Sequence, residues 1–137
     1  MTEELPVDSG NQAAQVWLLG VQRKLYQWSR EHPEEPYCDL WNWVTDPRNL
    51  QMAWKTIAGN RGKRTPGVDG ETVARIASGI GAMEFLRKLR EELRSGGYRP
   101  SPARRKWIAK PGKPGKFRPL GIPTVKDRGV QCAVKQV

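Results

Sequence analysis

Residues 104–130 read RRKWIAKPGKPGKFRPLGIPTVKDRGV, and the fold is decided here. Two short extended segments flank Pro111-Gly112-Lys113-Pro114-Gly115, a composition that reverses the chain and excludes a helix. Period-two alternation predicts a β-hairpin over 103–122, with Arg104, Lys106, Ile108 and Lys110 on one face of the first strand and Arg105, Trp107 and Ala109 on the other. In the second strand Lys116, Arg118, Leu120 and Ile122 share a face, so Lys110 and Arg118 are expected to converge on one ligand across the pair. Between residues 104 and 118 the cations are Arg104, Arg105, Lys106, Lys110, Lys113, Lys116 and Arg118, with no carboxylate among them. A run of this kind either meets an anion or is a solvated face, and charge alone does not choose between the two.

Working outward, the pair Thr124 and Asp127 has the spacing of an acidic capping box and predicts a helix with Val130, Val134 and Val137 on one face. Upstream, Tyr98-Arg99-Pro100-Ser101-Pro102 is expected to run extended, since a residue before proline is biased away from the helical region. Leu86, Leu89 and Leu93 form the stripe of a helix over 83–94, stopped by Ser95-Gly96-Gly97, and residues 71–80 read as weakly helical. Asp46-Pro47 is a strong helix start, with Leu50, Ala53, Trp54 and Ile57 as the buried stripe and Gly59 as the stop. Leu18, Val21, Leu25 and Trp28 give an amphipathic helix over about 12–30, ending before His32-Pro33. Tyr37, Trp41 and Trp43 either stack on bases or plug a helix junction.

Residues 59–70, GNRGKRTPGVDG, hold four glycines and the cations Arg61, Lys63 and Arg64. Backbone amides in such a loop can approach phosphates closely, which makes these cations nucleic-acid-binding candidates; the plainer reading is a flexible connector. Asp69 is placed to tie the turn with its carboxylate rather than to bind metal.

The chain has 137 residues and a formal charge of +10, unevenly spread. Residues 1–50 carry eight acids and four bases, a formal −4, whereas residues 51–137 carry twenty bases and six acids, a formal +14. The basic part is a candidate for binding nucleic acid or nucleotide phosphate. Cys38, Cys132 and the single His32 offer neither a zinc spacing nor a disulfide framework, and reduced thiols are expected. No window reaches a membrane-spanning length, so no membrane partner and a cytoplasmic location are expected.

The loop at 59–70, followed by LRKLREELRSGGYRPSPARRKWIAKPGKPGKFRPLGIPTVKDRGVQCAVKQV, closely resembles the N-terminal fingers region of bacterial group II intron reverse transcriptases, also called maturases. The resemblance covers roughly residues 47–137 and is most specific over 104–131. It implies that the hairpin closes over an incoming deoxynucleotide, with Lys110 and Arg118 touching its triphosphate and base. It also implies that the loop from Arg61 to Gly70 contacts template strand and intron RNA, and that Arg104 and Arg105 touch nucleic-acid backbone; Lys106, Lys113 and Lys116 extend the same surface. A lysine supplies a point charge to phosphate, while a guanidinium both hydrogen-bonds phosphate and lies against a base.

The resemblance further implies a palm with metal-holding aspartates, including a Tyr-Ala-Asp-Asp turn, which does not occur in these residues. The expectation is therefore no catalytic and no metal-binding residue here, no cofactor of this chain's own, and Mg2+ only together with a palm. The expected fold class is α+β: N-terminal helices plus a basic antiparallel β-hairpin, the fingers subdomain of a reverse transcriptase, lacking palm and thumb. Its expected divisions are a disordered leader (1–10), a helical extension (11–58), the Gly-rich basic loop (59–70), and a fingers subdomain (71–137) ending in a truncated helix. Expected partners are RNA template or intron RNA, an RNA/DNA primer-template, dNTP and a separate palm-bearing polypeptide. Two other readings share these residues: a stand-alone RNA-binding, maturase-like protein, and the product of a decayed reverse transcriptase gene.

Overall fold

The computed structural model describes the backbone of residues 5–137 and the side chains of residues 12–60 and 62–137. Among the described residues the element order is α1 (Leu5–Glu31), α2 (Leu40–Val44), α3 (Pro47–Gly59), a 3-10 turn (Arg61–Arg64), α4 (Val73–Ser78), α5 (Ala82–Ser95), β1 (Arg104–Ala109), β2 (Phe117–Ile122) and α6 (Val125–Gln136). The architecture is α+β, with one two-stranded antiparallel sheet. Of the leader expected over 1–10, residues 1–4 lie outside the described residues, and α1 already includes residues from Leu5 onward.

Helix α3 is the central element, packed against α6, α1 and α5. Asp46 caps it as expected: its carboxylate accepts the Arg48 amide at 2.9 Å, and Pro47 occupies the first turn. At the other end Gly59 is the last helical residue, and Asn60 terminates the helix in an extended conformation. No left-handed glycine is used there, unlike the end of α5, where Gly96 adopts φ 77° and both Gly97 and Tyr98 donate their amides to the Glu92 carbonyl.

Leu50 and Ala53 from α3, Leu86, Leu89 and Leu93 from α5, Val44 and Ala133 form one buried cluster; Ile57, Val73, Ile76 and Val125 form a second. A fully buried leucine such as Leu50 or Leu89 contributes about 2 kcal/mol in transfer free energy. Polar groups inside the core are paired. Asn49, fully buried, donates to the carbonyls of Val44 (2.9 Å) and Ala133 (3.0 Å), and accepts Gln136 Nε2 at 2.9 Å. This network fixes α3 against α6.

Helix α6 departs from the expected face in part. Val125, Asp127, Gly129 and Ala133 are its buried residues, while Val134 is 53 % exposed. Gly129 and Ala133 face the core where α6 lies close along α3, Val130 and Val137 of the expected stripe pack half-buried against the same cluster, and only Val134 turns outward.

The aromatic residues near α2 plug a helix junction. Trp43 Nε1 donates to the Tyr37 hydroxyl at 3.0 Å, Trp28 meets Tyr37 edge-on at 5.2 Å, and Trp17 lies 6.1 Å from Trp43 with the Arg48 guanidinium 4.2 Å from its ring centroid. Trp41 alone of the three expected rings stays largely exposed, at 48 %. No helix among the described residues is long and apolar enough to cross a membrane, and Cys38 and Cys132 are both free.

Candidate nucleic-acid interface

The hairpin register pairs Arg104 with Ile122, Lys106 with Leu120 and Ile108 with Arg118, and the Lys110 amide donates to the Lys116 carbonyl at 2.9 Å beyond the last strand pair. Arg104, Lys106, Ile108, Lys110, Lys116, Arg118, Leu120 and Ile122 therefore share one face, as the alternation predicts. Lys110 and Arg118 are diagonal neighbours on it, a relation that places side-chain origins roughly 7–8 Å apart. Gly112 (φ 73°) and Gly115 (φ 77°) take the left-handed conformations that let the tip reverse. Every residue from 109 to 121 is exposed. The hairpin carries no carboxylate to offset its cations, because residues 104–118 contain seven Lys or Arg and no Asp or Glu.

The base of the hairpin is built differently. Arg104 Nε donates to the Pro66 carbonyl at 3.0 Å, so its guanidinium is engaged in holding the loop to β1. Arg128 donates from Nε to Pro123 O (3.0 Å), from Nη1 to Gly62 O (2.9 Å) and from Nη2 to Thr65 O. Burial depresses the pKa of this guanidinium, with the Asp69 carboxylate opposing the shift. Gly67 packs on the start of α6 so closely that a Cβ there would stand 2.7 Å from Thr124 Cα and 2.8 Å from its nitrogen. The stretch 59–70 is thus a pinned element rather than a flexible connector, and the close approach that Gly67 permits is to backbone. Asp69 ties its turn as expected, accepting the Glu71 amide at 3.0 Å.

Between loop and hairpin lies a cleft of about 280 Å³, with Ile57, Leu120, Ile122 and Pro123 as apolar walls and Lys106 at the hairpin side. Lys63 and Arg64 are exposed on the 3-10 turn beside it; the side chain of Arg61 lies outside the described residues. Arg105 lies 5.8 Å from the Trp107 ring centroid on the opposite face, and Lys113 and Lys116 stand at the exposed turn. The structure therefore brings Lys106 to the loop, keeps Lys110 and Arg118 further out on the same face, and turns Arg105 away.

Two residues that position this site carried no functional expectation. Arg128 clamps the loop through carbonyl groups, which leave no mark in a sequence. Thr124 Oγ1 accepts the Asp127 amide at 3.1 Å, but the Asp127 carboxylate does not complete a reciprocal box. It accepts instead the Tyr98 hydroxyl and, at 2.9 Å, the Ser101 amide. Burial first, and this hydrogen bond second, push the Tyr98 phenol well above its ordinary pKa.

Several of the described carboxylates are already engaged. Asp46 and Asp127 serve as helix-end anchors, Glu92 pairs with Lys126 at 3.0 Å, and Glu84 and Glu91 pair with Arg87. Among the described residues no three His, Cys, Asp or Glu side chains gather to hold a metal ion.

Over most of its length the chain is similar to part of a group II intron-encoded protein. It is similar to the Group II intron-encoded protein LtrA of Lactococcus lactis subsp. cremoris, with 32% identity over 117 residues, covering 85% of this chain and 18% of LtrA. Protein YkfC of Escherichia coli strain K12 is 42% identical over 114 residues, covering 83% of this chain and 29% of YkfC. The chain spans less than a third of the length of either curated relative. No family model matches it.

Proposed function

We propose that this chain forms the fingers part of a group II intron-type RNA-directed DNA polymerase, gripping RNA template and incoming dNTP and requiring a palm with metal-binding carboxylates for nucleotidyl transfer. The observation that carries this reading is the diagonal pairing of Lys110 and Arg118 on one exposed, carboxylate-free face. A triphosphate is a ligand of matching charge and length, Lys110 meeting it as a point charge and Arg118 as a planar fork. The pinned loop with Lys63 and Arg64 extends the same cationic surface toward a template strand. Similarity to an intron-encoded protein supports RNA as the nucleic acid.

The reading is tested by titrating the chain with single-stranded RNA and with dNTP, and by primer extension after mixing with a palm-bearing polypeptide. RNA affinity is expected to fall by about 0.7 log unit per log unit of salt for each phosphate neutralised. Lys110→Ala and Arg118→Ala should each weaken dNTP binding and reduce extension. A flat salt response, or full dNTP binding in both variants, overturns it. The formal +14 of residues 51–137 also supports a stand-alone RNA-binding role, which steep salt dependence without restored extension would favour.

A further inference from the structure

The hairpin has a second face that the nucleotide-gripping role does not use. Register places Arg105, Trp107 and Ala109 of β1 opposite Gly121, Pro119 and Phe117 of β2, so Trp107 and Phe117 are diagonal neighbours on the side away from Lys110 and Arg118. Each ring is 58 % exposed, and the residues between and beside them are exposed as well. Ala109, Pro119 and Gly121 leave the ground between the rings low, while Arg105 stands at the edge of the Trp107 ring, 5.8 Å from its centroid.

We infer that this face is a stacking platform for unpaired nucleobases, a second nucleic-acid contact carried on the same hairpin. The inference rests on the nucleic-acid reading above. Two exposed rings in a two-stranded ribbon are costly in water unless something covers them. The charge around them selects the occupant: seven cations and no carboxylate over residues 104–118 attract a polyanion and repel a cationic or second identical surface. Among polyanions, a single strand exposes π-faces to the rings, whereas a duplex keeps its bases stacked inside. Arg105 is placed to meet the phosphate of a nucleotide whose base lies on Trp107.

The experiment uses the whole chain with fluorescein-labelled oligoadenylate, oligouridylate and a blunt RNA duplex at fixed salt. Trp107→Ala and Phe117→Ala are each expected to weaken single-strand binding roughly 5- to 100-fold, while leaving duplex affinity and the salt slope unchanged, because stacking displaces no counterions. Trp107→Phe should restore much of the loss but not the tryptophan quenching expected when the parent binds oligoadenylate. Both positions are exposed, so circular dichroism should report an intact fold.

Unchanged single-strand affinity in both alanine variants overturns the platform, as does an equal loss for duplex. Self-association that the variants abolish, with RNA affinity intact, would assign the face to a second copy and overturn it too. If Lys110→Ala abolishes dNTP binding while Trp107→Ala has no effect, the platform alone fails. If the parent shows no salt-dependent RNA binding, the broader reading fails with it.

Discussion

The carboxylate of Asp127, 3 % exposed, accepts the hydroxyl of Tyr98 from 29 residues earlier and thereby ties the end of α5 to the first turn of α6. The same carboxylate takes the Ser101 amide at 2.9 Å, so the proline-interrupted segment entering β1 is fixed at both ends of its arc. This anion is one of the ties on the cationic hairpin, beside Arg104 on Pro66 and the buried Ile122.

Tyr98→Phe should therefore destabilise the fold by about 1.5–3 kcal/mol at neutral pH, the usual worth of a hydrogen bond to a charged group. The phenol's folded pKa lies above its ordinary value of 10.0, raised by burial and then by Asp127, so the stabilisation is complete below pH 10.0 and is lost as pH rises above it toward the folded value. Urea melts should show the gap between parent and Tyr98→Phe narrowing above about pH 10; a constant gap would contradict this account.

Gly67→Ala should cost on the order of 1–3 kcal/mol or more, since the new methyl would meet Thr124 backbone at 2.7 Å and 2.8 Å and backbone cannot rotate away. Gly62→Ala, whose Cβ would meet only Arg128 Nη1 at 3.8 Å, serves as the control. Equal urea midpoints for the two variants would show that the loop is not seated on Thr124.

Gly129→Ala should stabilise the protein. Its Cβ would lie 3.9 Å from Leu89 Cδ2 and 4.0 Å from Ile57 Cδ1, ordinary contact distances, and a helix interior gains roughly 0.5–1 kcal/mol when alanine replaces glycine. A rise in Tm of about 3 °C is expected. A fall would mean that α6 lies closer to the core than these distances imply.

Asp46→Ala should cost about 1 kcal/mol through loss of the α3 cap. Partial burial works to raise the Asp46 pKa, yet the side-chain and backbone hydrogen bonds from Arg48 outweigh it and hold the carboxyl below its ordinary 3.8. The cap's contribution is thus present above pH 3.8 and is lost as pH falls through the folded value. Parent and variant melts should converge on acidification, and a gap that persists would remove Asp46 as the cause.

The start of α3 and the two faces of the hairpin were legible because their causes are local: a carboxylate followed by proline, and cations and apolar residues alternating about a Pro/Gly turn. The exposed side of α6 was not. Of the three valines Val130 and Val137 do pack on the core and Val134 does not, whereas the small Gly129 and Ala133 take the most buried positions because α3 comes near, Asn49 and Gln136 bonding across the interface. Likewise Thr124 and Asp127 had the spacing of a capping box, yet only half of it forms, because Tyr98 and Ser101 compete for the carboxylate. Glycines in the loop could be read as open to phosphate; at Gly67 the space is already taken by Thr124.

The ribbon formed by β1 and β2 is anchored at one end, where Ile122 is buried and Arg104 grips Pro66, and every residue from 109 to 121 projects into solvent. It is a cantilever. Six residues of strand make an arm of about 20 Å, so a tilt at the seat of Gly67 on Thr124 is magnified at Lys113 and Lys116. A ligand drawn to those lysines would sit at the far end of the arm from the seat of Gly67 on Thr124, where the ribbon is held by backbone packed against backbone.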